Sequence, residues 1–85
     1  MSWLVVLTNA ARKELRRIPR EDRARINAVI STMEENPFHG DIVKLGGTSN
    51  RWRRRVGVYR IMYNLVSDKR DIFIYDIKRR TSSTY

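Results

Sequence analysis

Arginine dominates the chemistry open to this chain, and its spacing is most orderly where it is densest. In the stretch RWRRRVGVYR, residues 51–60, five of ten residues are Arg. Arg53 and Arg55 stand two apart, which on a strand puts them on one face. Arg60 follows within reach across a hairpin, and Arg79 comes just after the last strand-like run, placed to close the group. Convergent guanidinium groups suit one reaction in particular, the cleavage of RNA by its own 2′-OH. Attack on the adjacent phosphate gathers negative charge on the phosphorane oxygens and on the leaving 5′-oxygen. Planar guanidinium forks bind such oxygens in pairs and need no metal to do so. Arginine is a poor general base because it stays protonated. One further group must take the 2′-OH proton and another must supply a proton to the leaving oxygen. A Tyr whose pKa is lowered by cationic neighbours qualifies. The same arginines also serve phosphate contact without chemistry, which is their commoner use.

Other catalytic templates are missing. The sequence has no Gly-rich phosphate loop, no HExxH, no Cys/His cluster and no nucleophile elbow around a serine. There is no Cys, which excludes disulfides and thiolate metal sites, and a single His, His39, in a loop-like region. No metal and no cofactor is expected. Asp68 and Asp71 flank a turn, and Glu34-Glu35 read as a solvated helix face. The charge is uneven: residues 1–50 carry eight Lys/Arg and six Asp/Glu, residues 51–85 ten and three, for a total of +9. An excess of positive charge concentrated in one structured third points to a polyanionic partner. The N-terminal MSWLVVLT lacks the basic start of a signal peptide, and no apolar run is long enough for a membrane span. A cytoplasmic protein is expected, with residues 1–85 as one domain.

The elements that must position these residues follow from periodicity. Trp3-Leu4-Val5-Val6-Leu7 reads as a strand. Thr8 or Asn9 caps a helix whose inner face is Ala11, Leu15 and Ile18, and Pro19 ends it. A second helix starts near Arg20 or Glu21, packs through Ile26, Val29, Ile30 and Met33, and stops at Asn36-Pro37. Residues 37–50 are loop-like, with a short Ile42-Val43-Lys44-Leu45 segment. From Arg51 the period becomes two: Trp52, Arg54 and Val56 share one face, and Arg51, Arg53 and Arg55 the other. Gly57-Val58 turns the chain, Tyr59 to Val66 is a strand, residues 67–70 are a hairpin loop, and Asp71 to Ile77 is another strand. The expectation is an α+β domain in the order β-α-α-β-β-β. Its four-stranded, mainly antiparallel sheet is covered on one face by a helical hairpin.

The run Trp52-Arg53-Arg54-Arg55-Val56-Gly57-Val58-Tyr59-Arg60-Ile61-Met62-Tyr63 resembles the middle of RelE-type toxins of the RelE/ParE superfamily, where a basic strand leads into a G-x-Y-R-[IL]-x-Y hairpin. The last strand and tail, from Ile72 through Lys78-Arg79-Arg80 to Tyr85, resemble that family's closing strand and K-R-x(5)-Y. The resemblance implies a RelE-like fold and the toxin of a type II toxin–antitoxin pair. It also implies metal-independent cleavage of mRNA in the ribosomal A site by 2′-OH attack. Carried over by position, it assigns Arg53 and Arg55 to the paired basic residues and Arg60 to the scissile phosphate. Arg79 becomes a phosphate binder or proton donor, and Tyr85 a base-stacking residue or general base. Arg54, Lys78 and Arg80 are expected to contact RNA. Arg12, Arg16, Arg17, Arg20, Arg23 and Arg25 are candidates for ribosomal RNA. The expected partners are an antitoxin, the ribosome and mRNA. The family often has Lys at the strand pair, so Arg here keeps the charge and loses the easier proton carrier. Two other readings are an inhibitor of DNA gyrase of the ParE type, without nuclease chemistry, and a non-catalytic nucleic-acid-binding module.

Overall fold

The computed structural model describes residues 2–45 and 50–79. Its elements run β1 (Leu4–Leu7), α1 (Asn9–Arg17), α2 (Arg20–Glu35), β2 (Ile42–Lys44), β3 (Arg51–Val56), β4 (Tyr59–Val66) and β5 (Asp71–Arg79). The strands form one sheet in the order β1-β5-β4-β3-β2. β2 to β5 are antiparallel neighbours, and β1 lies parallel to β5 at the edge. Both helices pack on one face of this sheet.

Local chemistry sets these boundaries. The Thr8 hydroxyl accepts a hydrogen bond from the Ala11 N–H at 3.2 Å and so caps α1. Pro19, extended between the helices, breaks the first and leads into the second, whose first turn holds Glu21 and Asp22 against the positive end of the helix dipole. Ala11 and Ile18 of the first hairpin arm and Ile26 and Met33 of the second are buried against Val56, Tyr59, Ile61, Tyr63, Leu65, Ile72, Ile74 and Ile77. Along β4 burial alternates residue by residue, with Tyr59, Ile61, Tyr63 and Leu65 facing the helices. The core is therefore one-sided, and among the described residues no element covers the other face of the sheet. Gly57, at φ +57°, occupies the first place of the two-residue turn between β3 and β4, where a primed hairpin turn requires a left-handed residue.

The sheet has five strands where the sequence pattern indicates four. The extra one is β2, formed by the Ile42–Lys44 segment inside the loop-like region. Ile42, Val43 and Lys44 pair with Arg54, Arg53 and Trp52. Three residues are too few to display a period of two, so this strand is specified by its partner and not by its own pattern. β5 also runs two residues past Ile77, because Tyr59 and Arg60 at the start of β4 offer partners to Arg79 and Lys78.

Candidate nucleic-acid interface

The alternation along β3 divides its arginines between the two faces of the sheet. Residues directly opposite across antiparallel strands share a face. Arg55 stands opposite Arg60, and Arg60 stands opposite Lys78, so three cations form a row across β3, β4 and β5. Arg53, Met62 and Asp76 form the next row, and Arg51, Asn64 and Phe73 the one after. This is the open face. Among the described residues, the Nε atoms of Arg53, Arg55 and Arg60 are buried without a hydrogen-bond acceptor, as is that of Arg54 on the other face. A buried donor without an acceptor is costly, and an anion laid on this face supplies acceptors. Two carboxylates border the row. Asp41 lies 3.7 Å from Arg55 Nε, and Asp76 lies 3.5 Å from Lys78 Nζ.

Arg53, Arg55, Arg60 and Lys78 are thus brought together. Arg54 and Arg79 are not. Arg54 pairs with Ile61 and lies on the helix side, where its guanidinium runs over Gly40. There it stands near Tyr63, whose phenol is fully buried and donates to the Pro37 carbonyl at 2.9 Å. Burial pushes the Tyr63 pKa up to about 12, against a smaller lowering by the Arg54 charge. The register turns Arg54 away from its neighbours in the run. A residue between two open-face arginines must point the other way.

Arg79 pairs with Tyr59 and also lies on the helix side. It borders a recess of about 180 Å³ with Glu14, Arg17, Ile18, Pro19, Tyr59 and Ile77. The Tyr59 phenol donates to Asp22 Oδ2 at 3.0 Å. Desolvation first, and then that bond, raise its pKa. Arg79 therefore does not close the open-face group; Lys78 does. The sequence places both residues at the strand end, and only the register tells which one shares a face with Arg60.

Arg12, Arg16, Arg17, Arg20 and Arg25 are exposed on the helices, and Arg23 is half-buried there. The helices that carry them cover the face of the sheet opposite Arg60, and the Arg25 guanidinium reaches the β3–β4 turn at Gly57. Arg12 Nε donates to the Leu7 carbonyl at 3.4 Å. Arg80 and Tyr85 lie outside the described residues. Two residues beside the cluster went unrecognised in the sequence. Asp41 carries no local signal, since only the fold brings its loop to Arg55. Tyr75 carries one: the inward residues Ile72, Ile74 and Ile77 break the period of two between 74 and 77.

The chain as a whole is similar to known proteins. Residues 5–83 match the model of a family described as the ParE toxin of the type II toxin–antitoxin system parDE. A Methanocaldococcus jannaschii protein named as a candidate toxin RelE1 is 30% identical over 83 residues, spanning 94% of this chain and 92% of that protein. The RelE–RelB complex of Pyrococcus horikoshii contains a chain of similar structure, with a TM-score of 0.84, 26% identity, and coverage of 98% of this chain and 100% of that one. The isolated RelE toxin of E. coli also has a TM-score of 0.84, at 19% identity, covering 96% of this chain and 88% of that one. At that identity the likeness concerns fold alone.

Proposed function

The chain belongs to the ParE-toxin family, within the RelE/ParE superfamily of type II toxin–antitoxin toxins, and from that premise we propose that it is a ribosome-dependent endoribonuclease. The observation that carries this reading is the open-face row Arg55–Arg60–Lys78 with Arg53 beside it, three of whose Nε donors have no hydrogen-bond acceptor among the described residues. In the proposed reaction the 2′-oxygen of mRNA attacks its own 3′-phosphorus and the P–O5′ bond breaks. The products are a 2′,3′-cyclic phosphate and a free 5′-OH. Arg53, Arg55 and Arg60 hold the non-bridging oxygens as charge builds on them. Lys78 adds a cation at the end of the row. By resemblance to the family, Arg79, Arg80 and Tyr85 also take part, Arg79 from the face of the sheet opposite Arg60. They contribute phosphate contact, proton donation to the leaving oxygen and, through Tyr85, base stacking or proton acceptance. The ribosome supplies the substrate positioning that so small a surface lacks. Before release, an antitoxin segment covers the basic face and silences it, folding as it binds. The similar chain in the RelE–RelB complex of Pyrococcus horikoshii supports such a partner.

The test is primer extension on mRNA translated by purified ribosomes with the chain added. Cuts confined to ribosome-bound mRNA are expected. Arg60→Ala should slow them roughly 10²–10³-fold, the loss typical of one preorganised donor on a developing anion. Comparable cutting of naked RNA would refute the ribosome requirement, and an unchanged Arg60→Ala would refute the assignment. The description of the matching family favours a second reading, inhibition of DNA gyrase without nuclease chemistry. Potent inhibition in a supercoiling assay, with no mRNA cut on ribosomes, would establish that reading instead.

A further inference from the structure

The open face does not end at the arginine row. The β4–β5 ladder is irregular between Met62 and Tyr63: Tyr63 faces Ile74 and Met62 faces Asp76, so Tyr75 has no residue opposite it on β4. This is a β-bulge. It inserts one residue and re-aims the side chains around it. Ile74 and Ile77 remain in the core at 0% and 1% exposure. The three-residue step between them sends both Tyr75 and Asp76 to the open side. The Tyr75 ring is half-buried, with the Arg51 guanidinium carbon 6.0 Å from its centroid. Arg51, Arg53 and Arg55 share that face at two-residue steps, each roughly 7 Å long. The ring therefore sits beside the phosphate-binding row, within the reach of one or two nucleotides.

We propose that Tyr75, with the Arg51 guanidinium beside it, is a stacking platform for one base of the single-stranded RNA whose phosphates lie on Arg53, Arg55 and Arg60. This inference rests on the RNA reading of the open face. The buried side chains do not require the bulge, since Ile72, Ile74 and Ile77 would fill the same places on a regular strand one residue shorter. The bulge is tied to the helix side through the Tyr75 carbonyl, which accepts from the Thr8 hydroxyl at 3.4 Å. What the extra residue adds is an aromatic ring on the charged side. Aromatic faces interleaved with cations are how proteins hold single strands, since every base has a π-face and a neighbouring guanidinium adds cation–π attraction. The platform fixes where the chain's bases lie relative to the row, and so which phosphate meets Arg60.

The experiment measures binding of the whole chain to a fluorescein-labelled, fully 2′-O-methylated RNA hexamer, which cannot be cleaved by 2′-OH attack. The parent should bind at low salt. Replacing one nucleotide by an abasic residue should weaken binding roughly 5- to 150-fold, the worth of one base–aromatic stack. Tyr75→Phe should match the parent. Tyr75→Ala should lose the same factor, become insensitive to the abasic position and keep the parent's salt dependence, since no phosphate contact is removed. Tyr75→Leu, which preserves apolar packing, should behave like Tyr75→Ala, and circular dichroism melting checks that both variants are folded. The proposal is overturned if the parent does not bind, if Tyr75→Leu binds like the parent, or if the alanine variant still senses the abasic position. Base-dependent binding by a chain that cuts no mRNA on ribosomes refutes the nuclease reading and leaves the platform standing. Cutting on ribosomes without base-dependent binding refutes the platform alone.

Discussion

Among the five arginines of residues 51–60, Arg54 has a different task from its neighbours. It lies on the helix side, and its guanidinium occupies the space where a side chain on residue 40 would project. Gly40 meets this by having no Cβ and by adopting φ +96°, a backbone conformation that costs other residues strain. Gly40→Ala thus combines strain with displacement of a charged side chain. It should lower stability by about 1–3 kcal/mol, read from the urea midpoint. Beneath Arg54, Tyr63 makes the core sensitive to alkali. Its folded pKa is about 12, against about 10 for an unfolded chain. A raised folded pKa contributes stability that is fully present below pH 10 and is lost as pH rises from there through 12. That loss is on the order of 3 kcal/mol for two units. Tyr63→Phe should flatten this dependence in urea titrations at pH 9 and pH 12. At neutral pH it should cost about 1 kcal/mol through loss of the bond to Pro37. An undiminished alkaline loss in the variant would place its source elsewhere.

The elements show which parts of the fold a sequence can reveal. Both helices, the Thr8 cap, the break at Pro19 and the full extent of β4 follow from periodicity and capping chemistry, because those signals are local. β2 was legible only as a short apolar segment, since its three residues owe their strand conformation to β3. The facing of Arg53 and Arg55 was legible from alternation. That of Lys78 and Arg79 was not, because it depends on a register set beyond a bulge. The bulge is itself recorded in the step from Ile74 to Ile77, and it leads to a prediction at this scale. Deleting Tyr75 leaves Ile74, Asp76 and Ile77 opposite Tyr63, Met62 and Ile61, so the ladder becomes regular. The shortened chain should fold with its core intact and melt within a few degrees of the parent. A collapse of cooperative melting would show that the bulge serves the fold.

For the whole molecule, the net charge of +9 matters less than its division between two surfaces. The helix arginines lie on one side of the sheet, and the row on the other. A hexamer is too short to wrap around both, so its affinity should depend on salt as if only the open face were charged. Each phosphate neutralised on a single strand contributes about −0.7 to the slope of log K against log salt. With Arg53, Arg55, Arg60 and Lys78 engaged, the slope should be roughly −3. Arg60→Ala should make it shallower by about 0.7. Lys69→Ala, in the exposed turn between β4 and β5, should leave it unchanged. The contrast between these two variants separates a localised phosphate site from diffuse attraction by the total charge. Diffuse attraction would respond equally to the loss of either cation, because each removes one unit from the same field. Equal effects of Arg60→Ala and Lys69→Ala on the slope would therefore mean that the ordered row on the sheet has no phosphate site of its own.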